Sequence, residues 1–282
     1  MPEIAYVNGS FMPLADAVVS VEDRGFQFAD GVYEVIATYG GAPYAMEAHL
    51  MRLERSLREL QIDLDVRGGD IDLAALVGEG MARAGFAETL VYIQVTRGTA
   101  PRHHEFPVPR ARPTVVMTLK ALRRPPAESY RQGVRVITAP DLRWKRCDIK
   151  SVALLPNILA KEEAHRAGAF EALLLDGDGC VTEGSSTSAF CVRGGGVYTA
   201  PASPAILPSI TRGVLIDLAR QIGVPVTETA VTRQEYLDAD EVFLAGTTTE
   251  AMPVVEIDGH RIGDGQPGPV TRRLREAFLK TL

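Results

Sequence analysis

The sequence predicts an α+β (mixed α/β) chain of two lobes, and three observations carry that expectation. Strand-like and helix-like runs come in groups and do not alternate as βαβ units, which disfavours a Rossmann arrangement. Short β-rich runs punctuated by Asp176-Gly177-Asp178-Gly179 and Gly194-Gly195-Gly196 crowd the second half, a spacing that favours antiparallel hairpins. Between the halves lies Arg123-Arg124-Pro125-Pro126-Ala127-Glu128-Ser129, which has little to bury and reads as a stiff linker. The expected division is a small N-terminal α/β domain over 1–122, a linker over 123–129 and a larger C-terminal domain over 130–282.

The elements follow in order. Asn8-Gly9 is a hairpin turn signal between strands at Ile4–Val7 and Phe11–Pro13. Val32–Tyr39 is β-rich and stops at Gly40-Gly41. Leu50, Leu53, Leu57 and Leu60 recur at helical spacing, which predicts an amphipathic helix over Glu47–Leu60, and Leu73–Ala84 reads as another. Leu90–Thr96 and Pro113–Leu122 read as strands either side of the loop Arg97–Arg112. In the second half, strands are expected at Val134–Ala139, Glu171–Leu175, Cys180–Thr182, Ser188–Val192, Val197–Thr199 and Glu241–Ala245. Met252–Gly263 reads as a hairpin turning at Asp258-Gly259. Helices are expected at Pro156–Ala167, Arg212–Ile222 and Thr271–Leu282. No internal repeat or low-complexity segment interrupts this pattern.

Composition narrows the function classes. A hydrophobic content of 46% with 23% charged residues over 282 residues is that of an ordinary globular protein. Lys+Arg of 30 against Asp+Glu of 36 gives a net charge of −6, which argues against nucleic acid or an anionic membrane as the main partner. No apolar run approaches the ~18 residues of a membrane span. The opening Met1-Pro2-Glu3-Ile4-Ala5-Tyr6 lacks the basic and apolar regions of a secretion signal. Cys147, Cys180 and Cys191 are odd in number and form no CxxC, so a reducing cytoplasm is the expected setting. The five histidines show no metal-ligand spacing, and no metal is expected.

The chemistry centres on Lys150 and Glu183. Lys150 follows Arg146-Cys147-Asp148-Ile149 and precedes Ser151-Val152-Ala153-Leu154-Leu155, an apolar setting unlike that of a solvated surface lysine. Lys145 and Arg146 are expected to favour its neutral, nucleophilic form by repulsion. Glu183 stands in Val181-Thr182-Glu183-Gly184-Ser185-Ser186, where a polar hairpin loop is the plainer reading. An amine that forms a Schiff base, paired with a carboxylate that keeps a pyridine nitrogen protonated, suits pyridoxal 5′-phosphate (PLP).

The remaining candidates find places around that cofactor. Ile210 and Thr211, after Pro208-Ser209, open a predicted helix whose N-terminus offers N–H groups and a favourable dipole to a phosphate. Gly246-Thr247-Thr248-Thr249 follows a strand and adds donors, and Arg52 beside the leucine stripe adds a cation. Arg97-Gly98-Thr99-Ala100-Pro101-Arg102-His103-His104 is a loop able to clamp a carboxylate, with the Tyr33 hydroxyl as a further donor. Each feature also has an ordinary reading as N-cap, solvated loop or exposed helical arginine.

Long motifs in a fixed order raise these readings above their individual specificity. They are Glu22-Asp23-Arg24-Gly25-Phe26-Gln27-Phe28-Ala29-Asp30-Gly31-Val32-Tyr33-Glu34-Val35, Gln94-Val95-Thr96-Arg97-Gly98-Thr99-Ala100-Pro101-Arg102, Trp144-Lys145-Arg146-Cys147-Asp148-Ile149-Lys150-Ser151, Thr182-Glu183-Gly184-Ser185-Ser186, Ile210-Thr211-Arg212 and Thr247-Thr248-Thr249-Glu250. Through them nearly the whole chain resembles the PLP-dependent fold type IV transaminases of the class IV aminotransferase family, most closely the D-amino acid aminotransferases. The resemblance implies a small α/β domain followed by a larger PLP-binding pseudo-barrel domain. It implies Lys150 as the Schiff-base lysine and proton carrier, and Glu183 as partner of the ring nitrogen. Arg52, Ser186, Leu207, Ile210, Thr211 and Thr247 are implied to bind the cofactor. Tyr33, Arg102 and His104 match the family's substrate-carboxylate trap. In the family the arginine and histidine arrive from a neighbouring subunit, which implies a homodimer. Two positions depart from the pattern: Ser188 stands where asparagine is frequent, and Gly246 where a hydroxyl residue precedes the first threonine.

The expected activity is transfer of an amino group from a D-amino acid of the D-alanine, D-glutamate or D-aspartate type to a 2-oxo acid such as 2-oxoglutarate or pyruvate. The Arg-x-His spacing at Arg102-His103-His104 favours it, because handedness follows from the side of the pocket that holds the carboxylate. The alternatives are (R)-amine or branched-chain L-amino acid transaminase, then aminodeoxychorismate lyase, and a non-catalytic PLP-binding protein.

Overall fold

Asn8 and Gly9 both sit at positive φ, 46° and 108°, as a tight hairpin turn requires. They join β1 (Ile4–Val7) to β2 (Ser10–Pro13) at the head of the chain. The computed structural model describes residues 3–282. The chain divides into two units, Met1–Arg123 with Ile149–Ala153, and Arg124–Asp148 with Leu154–Leu282.

The first unit continues with α1 (Arg24–Phe28), which the Asp23 side chain caps by accepting from the Gly25 amide. Next come β3 (Gly31–Tyr39), β4 (Ala42–Pro43), α2 (Met46–Glu59), α3 (Leu73–Ala84), β5 (Thr89–Thr96) and β6 (Thr114–Ala121). They form a sheet of order β2-β1-β6-β5-β3-β4. Its pairs run antiparallel. The leucine stripe of α2 lies as its spacing predicts, with Leu50, Leu53 and Leu57 buried beside Val91, Ile93, Met117 and Leu119 of the sheet. α1 and β4 lacked a sequence signal, since each is too short to show a period.

A later segment completes this unit. The Tyr33 amide donates to the Lys150 carbonyl at 2.9 Å, and the Val152 amide to the Gly31 carbonyl at 3.0 Å. These bonds frame an antiparallel bridge between Val32 and Ser151, and Ile149 enters the same core. Lys150 is therefore held by the backbone of β3.

In the second unit, Pro126 leads into α4 (Ala127–Gln132), so a short helix occupies part of the proline-rich stretch expected to be linker. β7 (Val134–Pro140), α5 (Leu155–Arg166), β8 (Glu171–Leu175), β9 (Val181–Gly184), β10 (Ser188–Arg193) and β11 (Gly196–Thr199) follow. Then come α6 (Ile210–Gln221), β12 (Val226–Glu228), α7 (Arg233–Leu237), β13 (Glu241–Gly246), β14 (Glu250–Ile257), β15 (His260–Arg261) and α8 (Pro269–Leu279). The sheet runs β12-β11-β10-β13-β14-β7-β8-β9, with β15 beside β14. β9 comes back against β10, so the sheet curls as a half-barrel.

The hairpin expectation holds for β8–β9, β10–β11, β13–β14 and β14–β15. Three pairs are instead parallel: β7 with β8, β7 with β14, and β11 with β12. Two of these are bridged by a helix, α5 or α6, as parallel connections require. No helix among the described residues is long and apolar enough to cross a membrane.

Candidate active site

Lys150 is half-buried. Its ammonium lies 4.3 Å from the centroid of the Tyr33 ring, and its amide donates to Ser56 Oγ at 3.2 Å. Strand alternation turns Glu34, the next residue of β3, to the other face, where it is fully buried. There Glu34 accepts from Arg52 Nε at 2.9 Å and Nη2 at 2.6 Å. It also makes a 2.9 Å hydrogen bond with His49 Nδ1. His49 and Arg52, three residues apart on α2, share the face that looks toward it. Arg52, expected at a phosphate, thus carries its fork on a carboxylate and is 7% exposed.

Burial opposes the Glu34 charge, but Arg52, His49 and the nearby Lys150 outweigh it and hold the carboxyl at about 2 instead of 4.5. A carboxyl lowered on folding contributes stability above its unfolded value and loses it as pH falls toward the folded one. Urea unfolding from pH 6 down to 2.5 is expected to show stability falling below pH 4.5, with Glu34 contributing on the order of 3 kcal/mol. In Glu34→Gln that part of the slope is lost; an unchanged slope contradicts the assignment.

The cationic loop sorts itself into inward and outward residues. Arg97 does not join a clamp. It is 7% exposed and binds Asp30 at 2.8 and 3.0 Å, the Leu60 carbonyl at 2.6 Å and the Gln61 carbonyl at 3.0 Å. Arg102, His103 and His104 are exposed. Arg102 stacks on Phe28 with its guanidinium 4.5 Å from the ring centroid, and the His104 ring lies 5.5 Å from the same ring. Phe28 therefore contacts both Arg102 and His104.

In the second unit Glu183 is 6% exposed on β9. Its carboxylate pairs with Arg143 Nη1 and accepts from the Leu207 amide at 3.2 Å. Arg143 also binds Asp141 at 2.7 and 2.9 Å and donates to the Ala205 carbonyl at 3.1 Å. Burial pushes the Glu183 carboxyl up despite Arg143 and the Leu207 amide. Burial also acts on Asp141, but Arg143 and Thr182 hold that carboxyl below its usual range. Burial lifts the neighbouring Cys147 thiol to about 11. Arg146, expected to repel the Lys150 amine, is paired with Asp148 at 3.0 Å.

Sequence reasoning missed Arg143. The signal was Asp141-Leu142-Arg143, opposite charges two apart just beyond an apolar strand, which places both on one side of an extended segment. It also missed Glu171, which opens an apolar strand and is fully buried. Glu171 accepts from Ser186 Oγ at 2.7 Å and from the Ser186 amide at 3.3 Å, and bonds Ser185 Oγ. It thereby shapes the turn that follows Glu183. Ser188, a departure from the expected asparagine, is buried in β10.

Ser209 caps α6 by accepting from the Arg212 amide at 3.2 Å. Ile210 and Thr211 occupy the first turn, where amides have no intrahelical carbonyl. Leu207 precedes that turn, its carbonyl accepting from the Ser209 amide at 2.8 Å. Thr247 is half-buried in the turn after β13. A Cβ on Gly246 would meet Thr187 and Thr249 at an ordinary 3.6 Å, so space does not demand glycine there. Of the expected site residues, Tyr33, Arg52, Arg102, His104 and Lys150 thus fall in the first unit, and Glu183, Ser186, Leu207, Ile210, Thr211 and Thr247 in the second.

This donor set fits pyridoxal phosphate. First-turn amides with threonine hydroxyls suit a phosphate dianion. A buried carboxylate that burial drives toward neutrality suits a pyridinium partner, which restores its charge. A family profile described as amino-transferase class IV matches residues 31–257. The chain belongs to the class IV aminotransferases. This aminotransferase is 42% identical to a D-alanine aminotransferase of Bacillus licheniformis over 277 residues, covering 98% of the chain and 95% of the relative. It is 40% identical to a D-alanine aminotransferase of Staphylococcus aureus over 280 residues, covering 99% and 97%. Among solved structures it superposes on the branched-chain amino acid aminotransferase of Escherichia coli with a TM-score of 0.91 at 26% identity, covering 99% of this chain and 94% of that one. A branched-chain amino acid aminotransferase from T.th., determined with pyridoxamine 5′-phosphate, gives 0.89 at 32% identity with the same coverage.

Proposed function

We propose that this class IV aminotransferase is a PLP-dependent D-amino acid transaminase, moving the amino group of a D-amino acid such as D-alanine, D-glutamate or D-aspartate to 2-oxoglutarate or pyruvate. The observation that carries the reading is that Phe28 contacts both Arg102 and His104, an arginine fork and an imidazole suited to an anion. The D-alanine aminotransferases at 40–42% identity over nearly the full chain support it.

Bound at this site, pyridoxal phosphate supplies the electron sink for the amino transfer. The residues of the chain do the rest. Lys150 Nζ acts as nucleophile and takes the proton from the substrate α-carbon. Glu183 Oε holds a proton on the ring nitrogen, with Arg143 opposing the effect of burial on the carboxylate. Ser186, Leu207, Ile210, Thr211 and Thr247, with Arg52, hold the cofactor. Arg102, His104 and the Tyr33 hydroxyl hold the substrate carboxylate. We read the chain as a small domain over 1–122, a linker over 123–129 and a large PLP-binding domain over 130–282, from which Ile149–Ala153 is lent to the first unit. We also place it in the cytoplasm as a homodimer, with the clamp arriving from the neighbouring subunit.

Absorbance spectra of the purified protein test the reading. A visible cofactor band is expected to convert to the pyridoxamine form with D-alanine, and not with L-alanine, L-leucine or (R)-1-phenylethylamine added separately. Conversion by L-leucine or by the amine alone moves the activity to a branched-chain or (R)-amine transaminase. No visible band after PLP is added refutes the cofactor assignment.

A further inference from the structure

We propose that Arg24 and Phe28 are the residues that position the substrate-carboxylate clamp, an inference that rests on the reading of Arg102 and His104 as that clamp. Residues 101–106 form no helix or strand, and every one of them is exposed. Apolar burial therefore does not set the conformation of this stretch. α1 does.

Arg24 is 4% exposed, and its guanidinium serves the loop backbone. Nη1 donates to the His103 carbonyl at 2.6 Å and to the Glu105 carbonyl at 3.3 Å, and Nη2 donates to the His104 carbonyl at 3.3 Å. Three successive carbonyls converge on one planar group, which fixes the chain at His104 and on both sides of it. Behind the guanidinium, Nε donates to Asp30 Oδ2 at 2.8 Å. Arg97 binds the same carboxylate and ties it to the end of α2 through the Leu60 and Gln61 carbonyls. The Arg24 amide donates to the Gly98 carbonyl at 2.9 Å, which pins the start of the loop.

Phe28 acts on the side chains. Four residues after Arg24, it lies on the same face of α1. The Arg24 guanidinium is 4.9 Å from its ring centroid, that of Arg102 is 4.5 Å away and the His104 ring is 5.5 Å away. One guanidinium holds the backbone, and one ring holds both clamp side chains, each from within α1. Removing either leaves Arg102 and His104 on an exposed loop with many orientations.

The test compares Arg24→Met, Arg24→Lys, Phe28→Ala and Arg102→Ala in the holoenzyme. Steady-state kinetics with D-alanine and 2-oxoglutarate, cofactor spectra, and amide hydrogen exchange over residues 101–106 are measured for each. Arg24→Met is expected to raise KM for both acids by about 10- to 100-fold, the range for lost charge-assisted hydrogen bonds. At saturating substrate kcat stays within a few fold, and the cofactor band is unchanged. Loop amides exchange faster in Arg24→Met, and Arg24→Lys and Phe28→Ala raise KM less. Arg24→Met/Arg102→Ala is no worse in KM than Arg102→Ala alone, because both changes remove one function. If Arg24→Met does not fold, Phe28→Ala and Arg24→Lys carry the same comparison. Unchanged KM in the folded Arg24 and Phe28 variants while Arg102→Ala raises it overturns this inference alone, and so do fully additive effects. Unchanged KM in Arg102→Ala overturns the clamp itself.

Discussion

Lys150→Ala is expected to abolish transamination. Nζ serves twice, as nucleophile and as the carrier of the α-proton. Positioned acid–base catalysis by itself is worth roughly 10²–10⁴ in rate, and loss of the nucleophile adds to that. Turnover of D-alanine with 2-oxoglutarate should therefore fall by at least about 10⁴. The fold should survive. The segment is held through its backbone, by the Tyr33 and Val152 amides and Ser56 Oγ, and an alanine at this position would keep those bonds. The lost cation–π contact with Tyr33 accounts for only about 0.5–1 kcal/mol. Lys150→Arg separates charge from nucleophilicity, since it keeps the cation and is expected to be equally inactive. Multiple turnovers by either variant, with unfolding midpoints near that of the parent, would remove Lys150 from the chemistry.

The second large effect is expected at Arg143→Met, which leaves two buried acids without their cation. Glu183, Arg143 and Asp141 have side chains only 8%, 6% and 11% exposed. Breaking such a group by removing one partner costs about 3–5 kcal/mol. Burial already pushes the Glu183 carboxyl upward, and Arg143 is its main opposing charge. Without Arg143 the carboxylate loses its main opposing cation, and its hold on the ring-nitrogen proton weakens. Thermal unfolding of the apoprotein should drop markedly. The holoenzyme should lose PLP affinity, and kcat should fall with it. Glu183→Gln in the Arg143→Met background should restore part of the stability while kcat stays low, because a neutral amide fits where a lone buried carboxyl does not. Arg143→Met with parental stability and parental PLP affinity would show that Glu183 keeps its charge by other means.

Much of this was written locally. The Asn8-Gly9 turn, the leucine stripe of α2 and the short strands of the second unit are patterns of neighbours, and neighbours decide them. α7 was equally legible and was overlooked: Thr232-Arg233-Gln234-Glu235 is a capping box, and both of its reciprocal bonds form. The parallel pairing of β7 with β8 and with β14 had no local signal, because the partners are chosen by packing over long stretches of chain.

The sequence by itself determined the mixed α/β class, the order of the longer elements and the residue types that one cofactor needs, because hydrophobic period, turn residues and motif order are local properties. Tertiary structure decided what each charge faces. Arg97, at the head of the loop read as a carboxylate clamp, turns inward to Asp30, whereas Arg102 remains outside on Phe28. Lys150 joins β3 across more than a hundred residues of chain, and Arg143 finds Glu183 forty residues away. An arginine or lysine carries the same charge and long stem wherever it stands. Its role is set only when folding buries its head against a particular carboxylate, carbonyl or ring, where desolvation makes that one partner matter.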